Sequence, residues 1–388
     1  MMADIRRMAV NWVDGMKISR QHFVETDEYH TDQVRKAQAV SQTPLTYGLL
    51  IPKESGDSLQ MQVLGDASQQ IRVKIDHFSG ICPDGSLLEI TEKDELKLDT
   101  SLAEIVEQYR LPAAQSLEIY IVVNVGLFER RQVGTPLDSE IPVRHPHTLP
   151  FYKIKLVPSE LINTEQWSGA GLIIGKIEYN NSELRVLHDF IPACRAVKSH
   201  KGLREWYNRF GGYLNDIEMY SFRIMQKIKT KSQKSTLSDS VQMLVERLVN
   251  VFATANVSYQ RLVPYEPPIH MVVCLIQVAQ SIRTSLECLT DREKEELLGY
   301  LGEWADDSPG SLEKKILSVI QVPYNHNEML PCLRIVDSFY SMWTALFLKL
   351  SQLEFIGKRK GQQVFIIESP VHEPPVQPEK TKSRWSPL

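Results

Sequence analysis

The chain has 388 residues, 43% of them hydrophobic and 24% charged, with a formal net charge of −4. That length accommodates two or three domains with sizeable cores, and the slightly acidic balance argues against a nucleic acid or an anionic membrane as the main partner. The five cysteines (Cys82, Cys194, Cys274, Cys288 and Cys332) are odd in number, scattered and form no C-x-x-C pair, a pattern that reads as reduced, mostly buried thiols of a cytoplasmic protein. Met1 to Val13 carries Arg6 and Arg7 with no apolar run behind them, so no secretory leader is expected. No segment approaches the ~18 apolar residues of a spanning helix.

In chain order, Met8, Val10 and Trp12 alternate with polar or small residues, which predicts a short strand. Asp14-Gly15 supplies a turn tolerant of positive φ. A helix capped at Ser19 follows, over Arg20 to about Val40, past Phe23, Tyr29 and Val34. Trp12, Met16, His22 and Phe23 crowd this strand-to-helix elbow, and the plainest reading of Trp12, Met16 and Phe23 is core. His22 and His30 flank Asp27 on the helix, but at ~1.5 Å of rise per residue they stand ~12 Å apart, too far for one metal. With H-E-x-x-H spacing absent, no metal site is expected, and His22 reads as a hydrogen-bonding residue that holds the elbow.

Residues 45–195 read as β-rich. Candidate strands are Leu45–Ile51, Gln70–Phe78, Leu87–Ile90, Glu95–Leu98, Leu117–Val125, Phe151–Val157, Leu172–Tyr179 and Leu184–Leu187. In the second, Ile71, Val73 and Ile75 alternate with Arg72, Lys74 and Asp76, a half-buried period of two. Leu117–Val125 is mostly apolar and β-branched, as a central strand should be. Pro83-Asp84-Gly85 and Asn180-Asn181 mark turns. Many short strands without alternating long helices imply a sandwich rather than a doubly wound sheet. Phe128 to Pro150 holds Pro136, Pro142, Pro146 and Pro150 beside Arg130, Arg131, Arg144, His145 and His147. So many prolines predict a loop, either a basic docking loop or a solvated insertion; His145-Pro146-His147 has no visible third ligand.

After Phe190–Arg195 the hydrophobic period lengthens to about 3.6. Helices are expected over Leu203–Lys231, Leu237–Leu262, from Ile269 past Leu289, Asp291–Trp304, Leu312–Val322 and about Asn327–Leu353. Gly211-Gly212 weakens the first, and Pro267 or Pro268 suits a first helical turn. Such a block of amphipathic helices means a bundle, closed within one chain or shared between subunits; Trp206, Phe252, Trp304, Trp343 and Phe347 offer apolar area for the second arrangement. Phe355 to Glu368 predicts a hairpin, and Ser369 to Leu388, rich in Pro, Glu, Lys and Ser, a disordered tail.

Three stretches together resemble the TssK family of type VI secretion baseplate subunits. Trp12, Asp14, Gly15, Met16, Ile18, Gln21, His22 and Phe23, followed by Asp27 and Tyr29, are similar to its W-x-[ED]-G-M-x-[LI]-x-x-Q-H-F opening and D-x-Y continuation. Gly80–Gly85 resembles its G-x-L-P-D-G turn, and Phe190–Arg195 its F-I-P-P-C-L/R junction. Pro264-Tyr265-Glu266-Pro267 and Pro323-Tyr324-Asn325-His326 match the family's helix starts more loosely. The resemblance spans roughly residues 8 to 350. It implies a β-sandwich shoulder at 1–195, a helical-bundle neck at 196–353 through which three copies trimerise, and wedge subunits of the TssF and TssG type as partners. It also implies Trp12, Asp14, Gly15, Met16, Gln21, His22, Phe23, Asp27 and Tyr29 as the interaction residues. Family members usually add a globular head that binds membrane-anchored components; residues 354–388 are expected to form only a short tail in its place.

No G-x-S-x-G, P-loop, Rossmann glycine triplet or zinc spacing appears. With the resemblance, this implies a non-catalytic, cofactor-free structural subunit, cytoplasmic and associated with the secretion apparatus at the inner membrane. The alternative is a carbohydrate-binding or glycosidase-like sandwich with a helical accessory domain.

Overall fold

The computed structural model describes residues 7–53, 56–66, 68–111, 116–136, 141, 144–162, 170–181, 183–231 and 235–359. Helix α1 (Arg20–Val40) opens the chain. Strands β1 (Gly48–Leu49), β2 (Leu59–Gly65), β3 (Gln70–Ile81), β4 (Leu87–Ile90) and β5 (Leu96–Ser101) form a first sheet, in which the long β3 is antiparallel to the other four. Helix α2 (Leu102–Tyr109) leads to a second antiparallel sheet of β6 (Ser116–Val133), β7 (His147–Pro158), β8 (Gly171–Asn180) and β9 (Glu183–Val186), ordered β7-β6-β8-β9.

The expected sandwich is present, and side-chain alternation explains it. Ile71, Val73 and Ile75 are buried and Arg72 and Lys74 exposed, so β3 lies on the core by one face. β6 is covered on both faces. Ile119, Ile121 and Val123 enter the core shared with the first sheet, while Tyr120 and Val122 pack with Val157, Ile173 and Phe190 on the other side. That double burial is why its sequence is a continuous apolar run.

Four expectations need correction. Residues 7–13 pair with no strand. β2 was not expected, although Leu59, Met61 and Val63 are half-buried and Gln60 and Gln62 less enclosed in a faint alternation. Nor was α2, whose Ser101 hydroxyl accepts the Glu104 N–H at 3.2 Å. The proline-rich stretch is not all loop: β6 runs on to Val133 and β7 starts at His147, with Pro150 opposite Arg130. β7 is an edge strand, where a missing N–H costs no ladder bond. The residual tip covers 134–146, of which 137–140 and 142–143 lie outside the described residues.

Helices α3 (Lys201–Thr230), α4 (Thr236–Arg261), α5 (Pro268–Glu287), α6 (Asp291–Ala305), α7 (Pro309–Ile320) and α8 (Leu330–Gln352) make the second block. α3 passes Gly211-Gly212 unbroken. A Cβ on Gly211 would come within 3.3 Å of the Tyr259 ring, and Tyr259 stacks on Tyr207 at 4.7 Å. The small residue thus lets α3 and α4 close on an aromatic pair. Phe252, Trp343 and Phe347 are fully buried in the chain's own core, with Trp206 and Trp304 half-buried. Most of the aromatic area expected for neighbouring subunits is therefore used internally. Among the described residues α5 is the one helix long and apolar enough to cross a membrane, and half of it is buried inside the fold.

Lys227 of α3 closes the carbonyl end of α8, donating to Ser351 O at 2.8 Å and to Leu353 O, a cation where the helix dipole is negative. The chain then turns back over α6: Trp304 Nε1 donates to Lys358 O at 3.2 Å and Gly357 N–H to the Tyr300 hydroxyl at 3.2 Å. Residues 355–359 form no strand, and the rest of the expected hairpin and tail lies outside the described residues. Between the two blocks, His326 Nε2 meets Tyr47 O at 2.9 Å, Lys176 bridges Glu118 and Glu328 at 2.9 and 2.8 Å, and Arg334 pairs with Asp189 at 2.6 Å.

Candidate functional site

The elbow ahead of α1 is an exposed aromatic cluster. Asp14 and Gly15 form a turn in which Gly15 takes φ +77°, and Met16 N–H closes it on Val13 O at 3.2 Å. At the helix start His22 Nδ1 accepts the Ser19 N–H at 3.2 Å, satisfying a donor at the helix entry. Trp12 stands edge-on to the His22 ring at 5.9 Å and tilted to Phe23 at 6.3 Å. His22 thus does hold the elbow by a hydrogen bond.

Trp12 and Phe23 are not core: they are 48% and 59% exposed. Ile18 and Val24 are exposed beside them, and Met16 is half-buried. Gln21 donates to Glu25 at 2.9 Å, Asp14 and Asp27 face solvent, and Tyr29 packs edge-on to His30 at 5.6 Å. Trp12, Met16, His22 and Phe23 therefore gather at one end of α1, with Asp14 and Gly15 in the turn beneath, whereas Asp27 and Tyr29 lie one to two turns along the helix. Contiguous exposed aromatics of this kind mark contact surfaces on soluble proteins.

What fixes α1 to the sandwich is polar. Asp32 is its one buried residue. Burial alone would raise that carboxyl's pKa; hydrogen bonds from Lys36, Arg35 and the Arg7 N–H outweigh it and hold the group below the usual carboxylate range. Arg35 reaches Asp32 at 2.7 Å and Asp84 at 3.5 Å. Burial pushes the Asp84 pKa up, against hydrogen bonds from Ser86 and Arg35. Arg7 pairs with Glu28 at 3.2 Å and lies 4.4 Å above the Phe128 ring. Gly85, at φ +85°, lets the helix backbone approach: a Cβ there would fall 2.2 Å from Arg35 O and 2.6 Å from Ala39 N.

Sequence reasoning named Gly85 as a turn residue and missed that it seats α1. It also missed Asp32 and Arg35, whose i, i+3 spacing was the available signal. Between α1 and the two sheets lies a cleft of about 760 Å³. None of its described lining residues is a carboxylate, so it does not supply the acid pair that glycoside hydrolysis uses.

No family model matches the chain, and no curated protein does. Among solved structures, a chain of the baseplate complex from the type VI secretion system is 13% identical, with a TM-score of 0.50 over 86% of this chain and 99% of that one. A chain of the TssK-TssF-TssG baseplate subcomplex is 11% identical, with a TM-score of 0.49 over 87% and 99%. A crystal structure of TssK is 14% identical, with a TM-score of 0.44 over 74% of this chain and 63% of that one, so this chain spans less than two-thirds of that protein. At such identity the likeness concerns architecture: the chain has the fold of a subunit of the type VI secretion baseplate complex.

Proposed function

We propose that this chain is a TssK-like structural subunit of a type VI secretion baseplate, acting by assembly and not by catalysis. In this reading it lies on the cytoplasmic side, joins wedge subunits of the TssF and TssG type through its N-terminal elbow, and trimerises through its helical block. The observation that carries it is the pair Trp12 and Phe23, held out of the core by a helix whose own anchor is polar. Aromatic side chains that stay exposed while locally ordered are the usual anchors of protein interfaces. The shared fold and the three sequence stretches support the same identity. A trimer would present three elbows, and linked contacts raise effective concentration, so interfaces of modest area hold.

The test is capture of co-expressed TssF- and TssG-type subunits by the full chain. The Trp12→Ala/Phe23→Ala double variant should lose capture, each truncation costing about 2 kcal/mol if these are anchors, and keep the parent's melting profile because both side chains are exposed. Capture at the parent's level by that variant would sink the assignment of docking to the elbow.

A further inference from the structure

The cleft beneath α1 combines apolar and cationic lining. Its apolar lining includes Leu50, Ile81, Leu87 and Val125 from the sheet side and Val34 from α1, while Arg35, Arg130 and Arg195 also line it. Arg35 is neutralised by Asp32 and Asp84. The other two are not: Arg130 donates to Thr31 Oγ1 at 3.3 Å and Glu129 O at 3.5 Å, and Arg195 to Thr46 O at 3.3 Å. Among the described residues neither forms an ion pair. A chain with a net charge of −4 thus keeps two uncompensated guanidinium groups beside one apolar opening.

The wall of the cleft is also strained. The β6–β7 register slips between Gly126 and Arg130, and within that bulge Phe128 adopts φ +66°. A bulky residue held in the left-handed region costs about 1–3 kcal/mol and recurs where a side chain is aimed for function. Here the bulge places Phe128 and Arg130 together on the cleft. The second and third stretches that carry the family resemblance end on this cleft, at Gly85 and Arg195, and α1, which follows the elbow, lines it from His30 to Gln38. Val34 lines the cleft and is 64% exposed, so the apolar surface continues onto the helix that bears the elbow.

We propose that this cleft receives an apolar segment of the protein partner docked at the elbow, flanked by carboxylates that pair with Arg130 and Arg195. This rests on the functional reading above, since it takes the partner from there and adds a second point of contact. The cleft's volume falls within the ordinary range of ligand pockets, roughly 300–1,000 Å³. An arginine fork recognises a carboxylate by charge-assisted hydrogen bonds. Continuity with the exposed face of α1 favours a protein segment over a small amphiphile.

The probes are a fluorescein-labelled peptide, acetyl-Asp-Leu-Phe-Leu-Asp, its counterpart with lysines in place of both aspartates, and free dodecanoate, each titrated into the full chain. Fluorescence anisotropy should show the acidic peptide binding about tenfold more tightly than the lysine peptide. Arg130→Glu should abolish that preference, since Arg195 remains to balance the new carboxylate, and Val34→Asp should weaken both peptides; both positions are solvent-accessible, and melting curves confirm folding. Equal binding of the two peptides, indifference to both substitutions, no binding, or full displacement by dodecanoate at concentrations below those of the peptides would each overturn the proposal. Wedge capture separates the two readings. Arg130→Glu that still captures the wedge overturns the cleft proposal and leaves the elbow standing. A parent chain that captures no wedge but binds the acidic peptide selectively overturns the baseplate reading and keeps the cleft's chemistry.

Discussion

His326 ties the first block to the second. Its Nε2 faces the Tyr47 carbonyl, which can only accept, so Nε2 carries the proton and Nδ1 accepts from the Tyr324 hydroxyl, both at 2.9 Å. Neighbouring Asn327 accepts the Tyr47 hydroxyl at 2.9 Å. Burial lowers the His326 pKa below its ordinary 6.5, with the bond to Tyr47 opposing weakly. The fold therefore prefers the neutral ring, and the unfolded chain binds more protons as pH falls. Stability from this residue is complete above pH 6.5 and declines as pH drops through that value towards the folded pKa. His326→Gln removes the titration: it should cost about 1 kcal/mol at neutral pH for imperfect hydrogen bonds, and the gap to the parent should narrow below pH 6.5. Melting curves of both proteins across that range check it. His200 is also buried with a lowered pKa, but it is common to both proteins and cancels in the difference. Parallel curves would show that His326 does not titrate with folding. The histidine was visible in the sequence near a helix start, but its partner lies 279 positions away, a separation that no local pattern encodes.

At the scale of elements, α1 is held by one close backbone approach and a few ion pairs, not by an apolar face. Gly85→Ala should cost about 1–3 kcal/mol for the forced positive φ, with displacement of the helix added by the clash with Arg35 O. Hydrogen exchange should then quicken in α1 while β6 and β8 keep their protection. Gly212→Ala is the counterpart: nothing lies within 4 Å of its Cβ, so inside α3 it should stabilise by about 0.5–1 kcal/mol. Equal responses from the two glycines would mean that α1 is not seated at Gly85. Legibility follows the same physics. β3 and the long helices were readable because one buried face imposes a period of two or about 3.6, and β8 because burial on both faces makes it a nearly continuous apolar run. β2 was not, because it lies only half on the core and its leucine, methionine and valine are diluted by glutamines. The β6–β7 hairpin was hidden by prolines that an edge strand tolerates. The turn at Asp14-Gly15 and the start of α1 were legible, but the strand before them is absent and the exposure of the aromatics was not read, since Trp12 and Phe23 carry the same hydrophobic signal whether they face a core or a partner.

For the whole molecule, the open question is what covers the outer faces of the helical block. With Phe252, Trp343 and Phe347 consumed inside the chain, the argument for shared bundles passes to residues that remain outside. Met219 and Phe222 are 38% and 44% exposed, and at i, i+3 on α3 they share a face; Val257 and Leu262 on and beyond α4 are exposed at 62% and 60%. Single exposed apolar residues are ordinary, but paired ones on one helix face stand out as contact candidates. If three copies meet through this face, light scattering of the purified chain should give a mass near three times 44.5 kDa. Met219→Asp/Phe222→Asp should lower that mass to a single chain, because each introduced carboxylate would be desolvated at the contact without a partner. The monomer's melting profile should stay cooperative, since neither side chain belongs to the core. A parent chain already monomeric at micromolar concentration would mean that the helical block closes on itself, and the multivalent mechanism would lose its basis while the elbow and cleft assays stayed valid. A double variant that remained trimeric would move the interface elsewhere on the helical block, with Val257 and Leu262 the next positions to change.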